Sequence, residues 1–256
     1  MIKITLPHDM IYAGNLILVN ARYPYREDNV TNALIPVHSD IDSILLDRNA
    51  AAPLKYLISK IGNWEQIVAV SGWRSMREQN DIYENSLKDN GMEFTEKFVA
   101  LPGHSEHQTG LAIDLALKQD QIDFICPDFP YTGICQVFRQ NAAAYGFIER
   151  YPITKEHITG ISHEPWHFRY VGTPHAEIIT NHGFALEEYI HFLMKCTYGK
   201  SPYIYHGKAG YTEISYLRAK TEHTPLEINE NSAYSISGNN IDGFIISEWR
   251  TLNGGQ

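Results

Sequence analysis

Two short segments, well separated in the sequence, carry side chains that can bind a metal ion. Residues 105–114 read SEHQTGLAID, and residues 163–167 read HEPWH. A catalytic zinc ion takes about three nitrogen or oxygen ligands from the protein and leaves one position open for water. His107 and Asp114 in the first segment and His167 in the second can supply that set. The sequence therefore predicts one zinc ion per chain, held by these three side chains.

Each of these side chains also has an ordinary structural role open to it. An aspartate in an apolar strand usually pairs with a nearby lysine or arginine. A single histidine usually lies on the surface or in the core. The metal site is favoured because all three residues occur together, within two motifs.

The second segment also matches H-E-x-x-H, the helical motif of many zinc proteases, but Pro165 argues against a helix here. In that motif the two histidines lie one turn apart on an unbroken helix. Proline has no amide hydrogen to donate and moves the residue before it out of the helical region. We therefore expect an extended segment with a turn at Glu164-Pro165, which brings Glu164 and His167 to the same metal. His163 is then a neighbour of the site and not a first-choice ligand.

The residues from Thr109 onward alternate with period two, which predicts a β-strand that presents Asp114. Leucines and an isoleucine occupy one face of this strand (residues 111, 113, 115 and 117), and Asp114 lies between two alanines on the other (residues 112, 114 and 116). Because alanine is small, there is space beside Asp114 for a metal ion. Gly110 allows the chain to turn so that His107 can reach the same point.

A strand-to-helix junction upstream is predicted to hold a second group of polar side chains. The apolar run IVAV at residues 67–70 indicates a buried strand, which delivers the sequence SGWRS at residues 71–75. Ser75 and Glu78 match a capping box, so we expect a helix that begins there, runs to about residue 90 and stops at Gly91. Arg74 and Gln79 flank this junction.

The remaining elements indicate an α+β chain with two domains. Helices are predicted over residues 47–62, 137–145, 174–182 and 186–195, strands at 147–148 and 166–171, and a loop over 94–105. Because helices and strands do not alternate regularly, the main body, residues 1–197, is expected to be α+β and not doubly wound α/β. After about Tyr198, short runs of tyrosine, isoleucine, serine and threonine alternate with glycines. Residues 198–256 are therefore expected to form a small β-rich C-terminal extension.

The composition restricts the class of protein. Of the 256 residues, 43% are hydrophobic and 20% are charged, as in an ordinary globular protein. The net charge of −9 disfavours nucleic acid as a partner, because phosphate binding relies on clustered lysine and arginine. No segment approaches the roughly 18 apolar residues of a membrane span, and the N-terminal MIKITLPHDM lacks the apolar run of a signal peptide. The three cysteines show no CxxC spacing and are expected to be free thiols, so we expect a cytoplasmic protein.

Three motifs in order resemble a known family. They are SGWRS at residues 71–75, S-x-H-x-x-G-x-A-x-D at 105–114 and E-x-x-H at 164–167. This set resembles the zinc D-alanyl-D-alanine carboxypeptidase and dipeptidase family of vancomycin resistance, and most closely its bifunctional D,D-dipeptidase/D,D-carboxypeptidase members. The resemblance implies a small mixed or antiparallel sheet with flanking helices, a fold shared with the signalling domain of hedgehog proteins.

The resemblance also implies the role of each site residue. His107, Asp114 and His167 are the zinc ligands, Glu164 is the general base and then the acid, and Arg74 stabilises the oxyanion. Zinc lowers the pKa of a bound water from about 15.7 towards 7. A positioned general base contributes ~10²–10⁴-fold in rate, and one oxyanion donor contributes roughly 3–4 kcal/mol. Gln79 and Ser105 correspond to substrate-binding positions, and Trp166 is expected to pack in the core with one face towards the substrate.

The implied function is hydrolysis of the D-Ala-D-Ala dipeptide, removal of the C-terminal D-Ala from peptidoglycan precursor peptides, or both, as part of vancomycin resistance. An L,D-specific cell-wall endopeptidase of the endolysin type is one alternative, in which the β-rich C-terminus binds the wall. A zinc-binding module without turnover is the other. Glu164 and Arg74 argue against the module, because a purely structural zinc ion requires neither residue.

Overall fold

The computed structural model describes residues 1–26, 33–207 and 210–251, and this part of the chain contains seven α-helices and twelve β-strands. In chain order they are β1 (Ile2–Pro7), β2 (Leu34–His38), β3 (Ile41–Asp47), α1 (Arg48–Ile61), β4 (Ile67–Ser71), α2 (Met76–Asn90), α3 (Met92–Phe98), β5 (Ala112–Leu117), α4 (Gly133–Ala142), β6 (Phe147–Tyr151), α5 (Glu156–Thr159), β7 (Glu164–Tyr170), α6 (His175–His182), α7 (Leu186–Leu193), β8 (Tyr203–Gly207), β9 (Gly210–Arg218), β10 (His223–Ile228), β11 (Ala233–Gly238) and β12 (Gly243–Thr251).

The chain divides into two compact units. The larger unit consists of Val19–Tyr25 and Thr31–Ala185, and the smaller unit consists of Met1–Leu18, Arg26–Val30 and Leu186–Gln256. The domain boundary expected between residues 197 and 198 stays a prediction. By its contacts within the chain, the N-terminal strand β1 belongs to the same unit as the C-terminal strands.

The larger unit is built on a four-stranded sheet with the order β4-β5-β7-β6, beside a separate hairpin of β2 and β3. All of these strand pairs are antiparallel. Helices pack on the sheet and the hairpin, so the predicted α+β fold with a small antiparallel sheet and flanking helices is confirmed. The central strand β5 is buried on both faces from Ala112 to Ala116. One face meets the apolar core through Ile113 and Leu115, as its period-two pattern predicts.

Two helices follow their sequence signals closely. The helix predicted over residues 47–62 is α1: the Asp47 side chain accepts a hydrogen bond from the Asn49 amide at its N-terminus, and Gly62 ends it. The capping box predicted before α2 is present, with both reciprocal contacts between Ser75 and Glu78 formed. Capping satisfies backbone N–H groups that have no partner within the helix. The start of α2 is fixed in this way, directly after Arg74.

The loop predicted over residues 94–105 is wrong in its first part, because α3 spans Met92–Phe98. Gly91, with a φ of 82°, ends α2 and allows a second helix to begin at once. Side chains one turn apart then stabilise α3: the Phe94 and Phe98 rings pack at 4.9 Å, and Lys97 Nζ lies 3.0 Å from Glu93 Oε1. The Pro102-Gly103 pair follows this helix and does not prevent it.

Other predicted elements are present with shifted ends. The helix expected over residues 137–145 begins earlier, as α4, and continues into the 3₁₀ turn Ala143–Tyr145. The short strand expected at 147–148 is β6, and the strand expected at 166–171 is β7. The helices expected over residues 174–182 and 186–195 are α6 and α7. The signals locate these elements, while tertiary pairing sets where they end.

The smaller unit holds two antiparallel sheets, one of β1 and β10 and one with the order β11-β12-β9-β8. Its apolar core contains Leu6 and Ile11 from the N-terminal residues, together with side chains of β10 and β12. The C-terminal residues are therefore β-rich, as their composition indicates. Among the described residues, every helix is too short or too polar to cross a lipid bilayer.

Candidate active site

A 3₁₀ turn, the glycine that ends it and the pairing of β5 with β7 bring the predicted ligand residues together in the larger unit. His107 lies in the 3₁₀ turn Glu106–Thr109, just before β5. Gly110 ends this turn in the left-handed conformation, with a φ of 72°, which favours glycine. Asp114 on β5 and His167 on β7 are register partners across the two strands. Side chains opposite each other in an antiparallel pair lie on the same face, so Asp114 and His167 meet.

The ligand atoms of His107, Asp114 and His167 all lie within 4.8 Å of one another, and each side chain is buried. His107 Nε2 lies 3.1 Å from Asp114 Oδ2, and His167 Nδ1 lies 2.9 Å from Asp114 Oδ1. The predicted convergence of these three side chains is therefore present. The carboxylate lies between the two imidazoles, and one nitrogen of each ring faces it.

A hydrogen bond from the second ring nitrogen of His107 to the backbone fixes the orientation of the ring. Its Nδ1–H donates a hydrogen bond of 2.7 Å to the carbonyl of Gly72, in the segment between β4 and α2. Nε2 of the neutral ring then carries a lone pair directed at Asp114. This is a common arrangement for a metal-binding histidine, because the second ring nitrogen sets the tautomer and the angle of the first.

Glu164 reaches the same face through an irregularity in β7. Residues three positions apart in a regular strand face opposite sides. Here Tyr151 of β6 pairs with Glu164, and Glu149 of β6 pairs with Phe168. The step between these pairs is two residues on β6 but four on β7, so β7 bulges between them. Pro165, which cannot donate to the strand ladder, lies in this bulge. Glu164 Oε2 is 3.8 Å from His167 Nδ1, and the predicted turn at Glu164-Pro165 takes this form.

The segment around Glu164 is thus a bulged strand and not a helix, which confirms the rejection of the helical zinc-protease motif. His163 does not belong to the group of three predicted ligand side chains. Its Nε2 lies 2.7 Å from the hydroxyl of Tyr131, and that hydroxyl also contacts Glu149.

The carboxyl group of Glu164 holds its proton more tightly than usual. It is 5% exposed, and this burial raises its pKa to about 8. The negative charges of Asp114 and Glu106 contribute to this rise, while the positive charges of His167 and Arg74 oppose it. A carboxyl group with a pKa near the working pH can both accept and return a proton.

The two histidines differ in charge. Burial, together with the charge of Arg74, lowers the pKa of His107 to about 4, so this ring is neutral. Burial alone would lower the pKa of His167 as well, but the carboxylates of Asp114 and Glu106 raise it to about 9. Burial also acts to raise the pKa of Asp114, yet the two histidines hold it well below its usual range.

Arg74 lies in the site and is held by three side chains. Its Nη2 donates to Asp114 Oδ2 at 3.0 Å, its Nε donates to Ser71 Oγ at 2.7 Å, and its Nη1 is 3.4 Å from Gln79 Oε1. The ring of Phe124 lies against the guanidinium group at 5.4 Å. The guanidinium is thus fixed beside the predicted metal ligands.

The three predicted substrate-binding residues all line the cavity into which this cluster opens. Ser105 is 3% exposed and directly precedes the turn that carries His107. The amide of Gln79 is engaged by the protein, because its Nε2 donates to the carbonyl of Ala100 at 2.8 Å. Trp166 packs against the apolar core and also lines the cavity, as expected.

Sequence reasoning missed several residues around the site. Phe124 is one of them. Glu106 is another, and the buried Arg150 and Arg169 donate hydrogen bonds to it. Arg139 is the last, and it donates to the carbonyl of Pro165 at 2.6 Å. Glu106 stands next to His107 in the first motif, so its position gave a signal. The arginines gave none, because their partners come from distant parts of the chain.

The donor set fits a catalytic zinc ion. Two imidazole nitrogens and one carboxylate oxygen form a set of three protein ligands, which leaves a further position for water or substrate. Calcium and magnesium prefer sites made of oxygen atoms alone. The three buried ligand side chains and Glu164 line one cavity.

A scan against protein-family models matches residues 43–173 to VanY, the D-alanyl-D-alanine carboxypeptidase family. The bifunctional D-Ala-D-Ala dipeptidase and D-Ala-D-Ala carboxypeptidase VanXYC of Enterococcus gallinarum is 44% identical over 181 residues, which are 70% of this chain and 95% of the relative. The region matched by the family model contains every predicted site residue.

Solved structures agree with this assignment. The vancomycin resistance D,D-dipeptidase VanXYg, in complex with a D-Ala-D-Ala phosphinate analogue, is 52% identical with a TM-score of 0.94, over 97% of this chain and 98% of that one. The vancomycin resistance D,D-pentapeptidase VanY of a VanB-type resistance cassette, as a glutamate-to-alanine mutant in complex with Zn(II), is 30% identical with a TM-score of 0.56, over 69% of this chain and 98% of that one. The chain belongs to the D-alanyl-D-alanine carboxypeptidase family of zinc peptidases.

Proposed function

We propose that this chain hydrolyses the D-Ala-D-Ala dipeptide and removes the C-terminal D-Ala from peptidoglycan precursor peptides, and so contributes to vancomycin resistance. The observation that carries the proposal is the convergence of His107, Asp114 and His167 beside Glu164 on one open cavity. The similarity to a relative named for both activities supports the two substrates.

His107, Asp114 and His167 are proposed to hold one zinc ion. When bound, the ion supplies Lewis-acid chemistry, since it acidifies water and polarises a carbonyl. The chain contributes a neutral His107, fixed by the Gly72 carbonyl, and a firmly ionised Asp114. Both are in the protonation state that metal binding requires.

Glu164 is proposed to act as general base and then as general acid. It takes the proton from the attacking water and passes it to the leaving amine of the terminal D-Ala. Its buried position beside His167 keeps it close to the reacting atoms. Its raised pKa means that the proton it takes up is held and then returned.

Arg74 is proposed to stabilise the negative charge that develops on the carbonyl oxygen. Its guanidinium group is fixed by Ser71 and Gln79 before substrate arrives, so little reorganisation is needed. Ser105, Gln79 and Trp166 line the same cavity and are proposed to contact the dipeptide. In this arrangement Gln79 also holds Arg74 in place.

We also propose a cytoplasmic location and no nucleic-acid partner. Cys126, Cys135 and Cys196 are free thiols, which fits a reducing compartment. The net charge of −9 is unfavourable for binding phosphate backbones.

The test is a D-Ala release assay on the dipeptide and on a pentapeptide that ends in D-Ala-D-Ala, with zinc content measured on the same sample. A tetrapeptide that ends in an L,D bond serves as the comparison substrate. We expect D-Ala release from both D,D substrates, and we expect Glu164→Ala to lower kcat by ~10²–10⁴-fold while zinc content is unchanged. Cleavage of the L,D bond alone, or equal turnover by the variant, would contradict the proposal.

A further inference from the structure

A third acidic side chain lies behind the metal ligands, on the side away from Asp114. Glu106 directly precedes His107 in the 3₁₀ turn and is 2% exposed. Its Oε2 lies 3.6 Å from His167 Nε2. The other nitrogen of the same ring, Nδ1, lies 2.9 Å from Asp114 Oδ1. The His167 ring is therefore enclosed between two carboxylates, one at each nitrogen.

The carboxylate of Glu106 is held in place by two buried arginines. Arg150 on β6 donates from Nε to Glu106 Oε1 at 2.8 Å, and Arg169 on β7 donates from Nη1 to the same oxygen at 2.7 Å. Both arginines are fully buried. Charge-assisted hydrogen bonds of this kind are short and strongly oriented. Because both arginines bind Oε1, Oε2 is directed at the histidine.

The atoms that face each other across this gap are both unsatisfied. Within the described ranges, neither Glu106 Oε2 nor His167 Nε2 has a hydrogen-bond partner, although both are buried. A distance of 3.6 Å is slightly too long for a hydrogen bond. Buried polar atoms without partners are costly. A small rotation of the ring towards Glu106 would satisfy both atoms.

We propose that Glu106 is a positioning residue that accepts a hydrogen bond from His167 Nε2–H when zinc is bound, and so fixes Nδ1 as the ligand atom. Glu106 does for His167 what the Gly72 carbonyl does for His107. His107 therefore binds through Nε2 and His167 through Nδ1. Arg150 and Arg169 support the site by holding Glu106. This inference rests on the proposed zinc site.

The alternative is that Glu106 only neutralises two buried arginines. The two roles differ in what Glu106→Gln changes. Glutamine has one acceptor oxygen and one NH₂ group at the end of its side chain. If the oxygen faces the arginines, the NH₂ group opposes His167 Nε2–H, and if the oxygen faces His167, the NH₂ group opposes the arginines. The variant therefore loses one of the two contacts in either orientation.

The experiment measures zinc affinity by competition with a chelator for wild type, Glu106→Gln and Glu248→Gln. Glu248 is a matched control, because it is a buried glutamate whose Oε2 lies 3.0 Å from Arg250 Nη2, in the other unit. We expect Glu106→Gln to weaken zinc binding about 10–100-fold and Glu248→Gln to leave it unchanged. Stability of the metal-free proteins is measured alongside. A variant that is less stable but binds zinc as tightly as wild type would overturn the inference.

A second measurement needs no variant, in case Glu106→Gln does not fold. Nitrogen-15 NMR of the histidine rings in zinc-loaded wild type distinguishes a ligating nitrogen from a protonated one. We expect His167 to be ligated through Nδ1 and protonated at Nε2, and ligation through Nε2 would overturn the inference. If wild type binds no zinc, the proposed function fails. If it binds zinc and releases D-Ala but Nε2 is the ligand, only the role of Glu106 fails.

Discussion

Glu164 is placed where it costs stability in the absence of metal. Its carboxyl group is buried close to two other carboxylates, Asp114 and Glu106, and its pKa is raised from 4.5 to about 8. Between these two values the folded chain keeps a proton that the unfolded chain has lost. The free energy of unfolding contributed by this group therefore falls as the pH rises from 4.5 to 8. The position proposed for the catalytic carboxyl group is thus unfavourable for the metal-free fold.

The first prediction follows for Glu164→Gln, which removes the titrating group and keeps its shape. We expect metal-free Glu164→Gln to gain stability over metal-free wild type as the pH is raised from about 5 to about 8, because only wild type must ionise a buried carboxyl group. Urea unfolding at both pH values measures this difference. Glu248→Gln, changed in the same way in the other unit, controls for a general effect of the substitution. A stability difference that is equal at both pH values would exclude the explanation.

His167 gives the second prediction. The carboxylates of Asp114 and Glu106 raise its pKa to about 9, so at neutral pH the metal-free ring carries a proton on each nitrogen. Zinc needs a lone pair on the ring, so metal binding must displace a proton. We expect zinc affinity to rise with pH up to about 9, with protons released into weakly buffered solution on binding. Measuring this in Glu164→Gln removes the contribution of the second raised group. If the zinc affinity of Glu164→Gln does not change between about pH 6 and 8, the prediction is contradicted.

At the scale of elements, the turn before β5 determines where His107 lies. Gly110 has a φ of 72°, and a Cβ atom there would lie 3.0 Å from the Asp47 nitrogen and from Leu34 Cδ2. Alanine would therefore suffer both backbone strain and crowding against the β2–β3 hairpin. Gly183 has a similar φ of 62° but open space around it, so the same substitution there carries the strain alone.

The third prediction is that Gly110→Ala costs more stability than Gly183→Ala and also weakens zinc binding. We expect a loss of more than about 1 kcal/mol at position 110, because alanine does not fit this conformation. Denaturant unfolding gives the stability, and chelator competition gives the zinc affinity. Equal losses in the two variants, with zinc affinity unchanged in both, would show that the turn does not position His107.

The elements that could be predicted are those specified by neighbouring residues. Alternation alone identified β5 and the face that carries Asp114, and the Ser75–Glu78 pair identified the start of α2. The sequence predicts the bulge in β7 only as a turn, because its form depends on pairing with β6. The sequence predicts a loop in place of α3, because a proline and a glycine lie nearby. The role of Glu106 depends on arginines from two strands, and no local pattern records such contacts.

At the scale of the whole chain, the same limit applies to the smaller unit. The β-rich C-terminus was evident from composition, but the partner of β10 was not. That partner is β1, whose residues Ile2 to Pro7 pair in register with Ile228 to His223. Strands far apart in sequence find each other through packing, which leaves no local sign in either strand. Every predicted site residue nevertheless belongs to the larger unit.

The last prediction compares two fragments that both lack the C-terminal strands. Residues 1–197 retain β1 without β10, so its backbone edge and the apolar side chains of Leu6 and Ile11 lose their partners. Residues 19–185 lack β1 as well and contain the whole site. An exposed apolar strand edge promotes aggregation. We expect fragment 19–185 to remain monomeric in gel filtration and to bind zinc, while fragment 1–197 aggregates. A monomeric, zinc-binding 1–197 fragment would instead support the boundary predicted at residue 197, because β1 would then need no C-terminal partner.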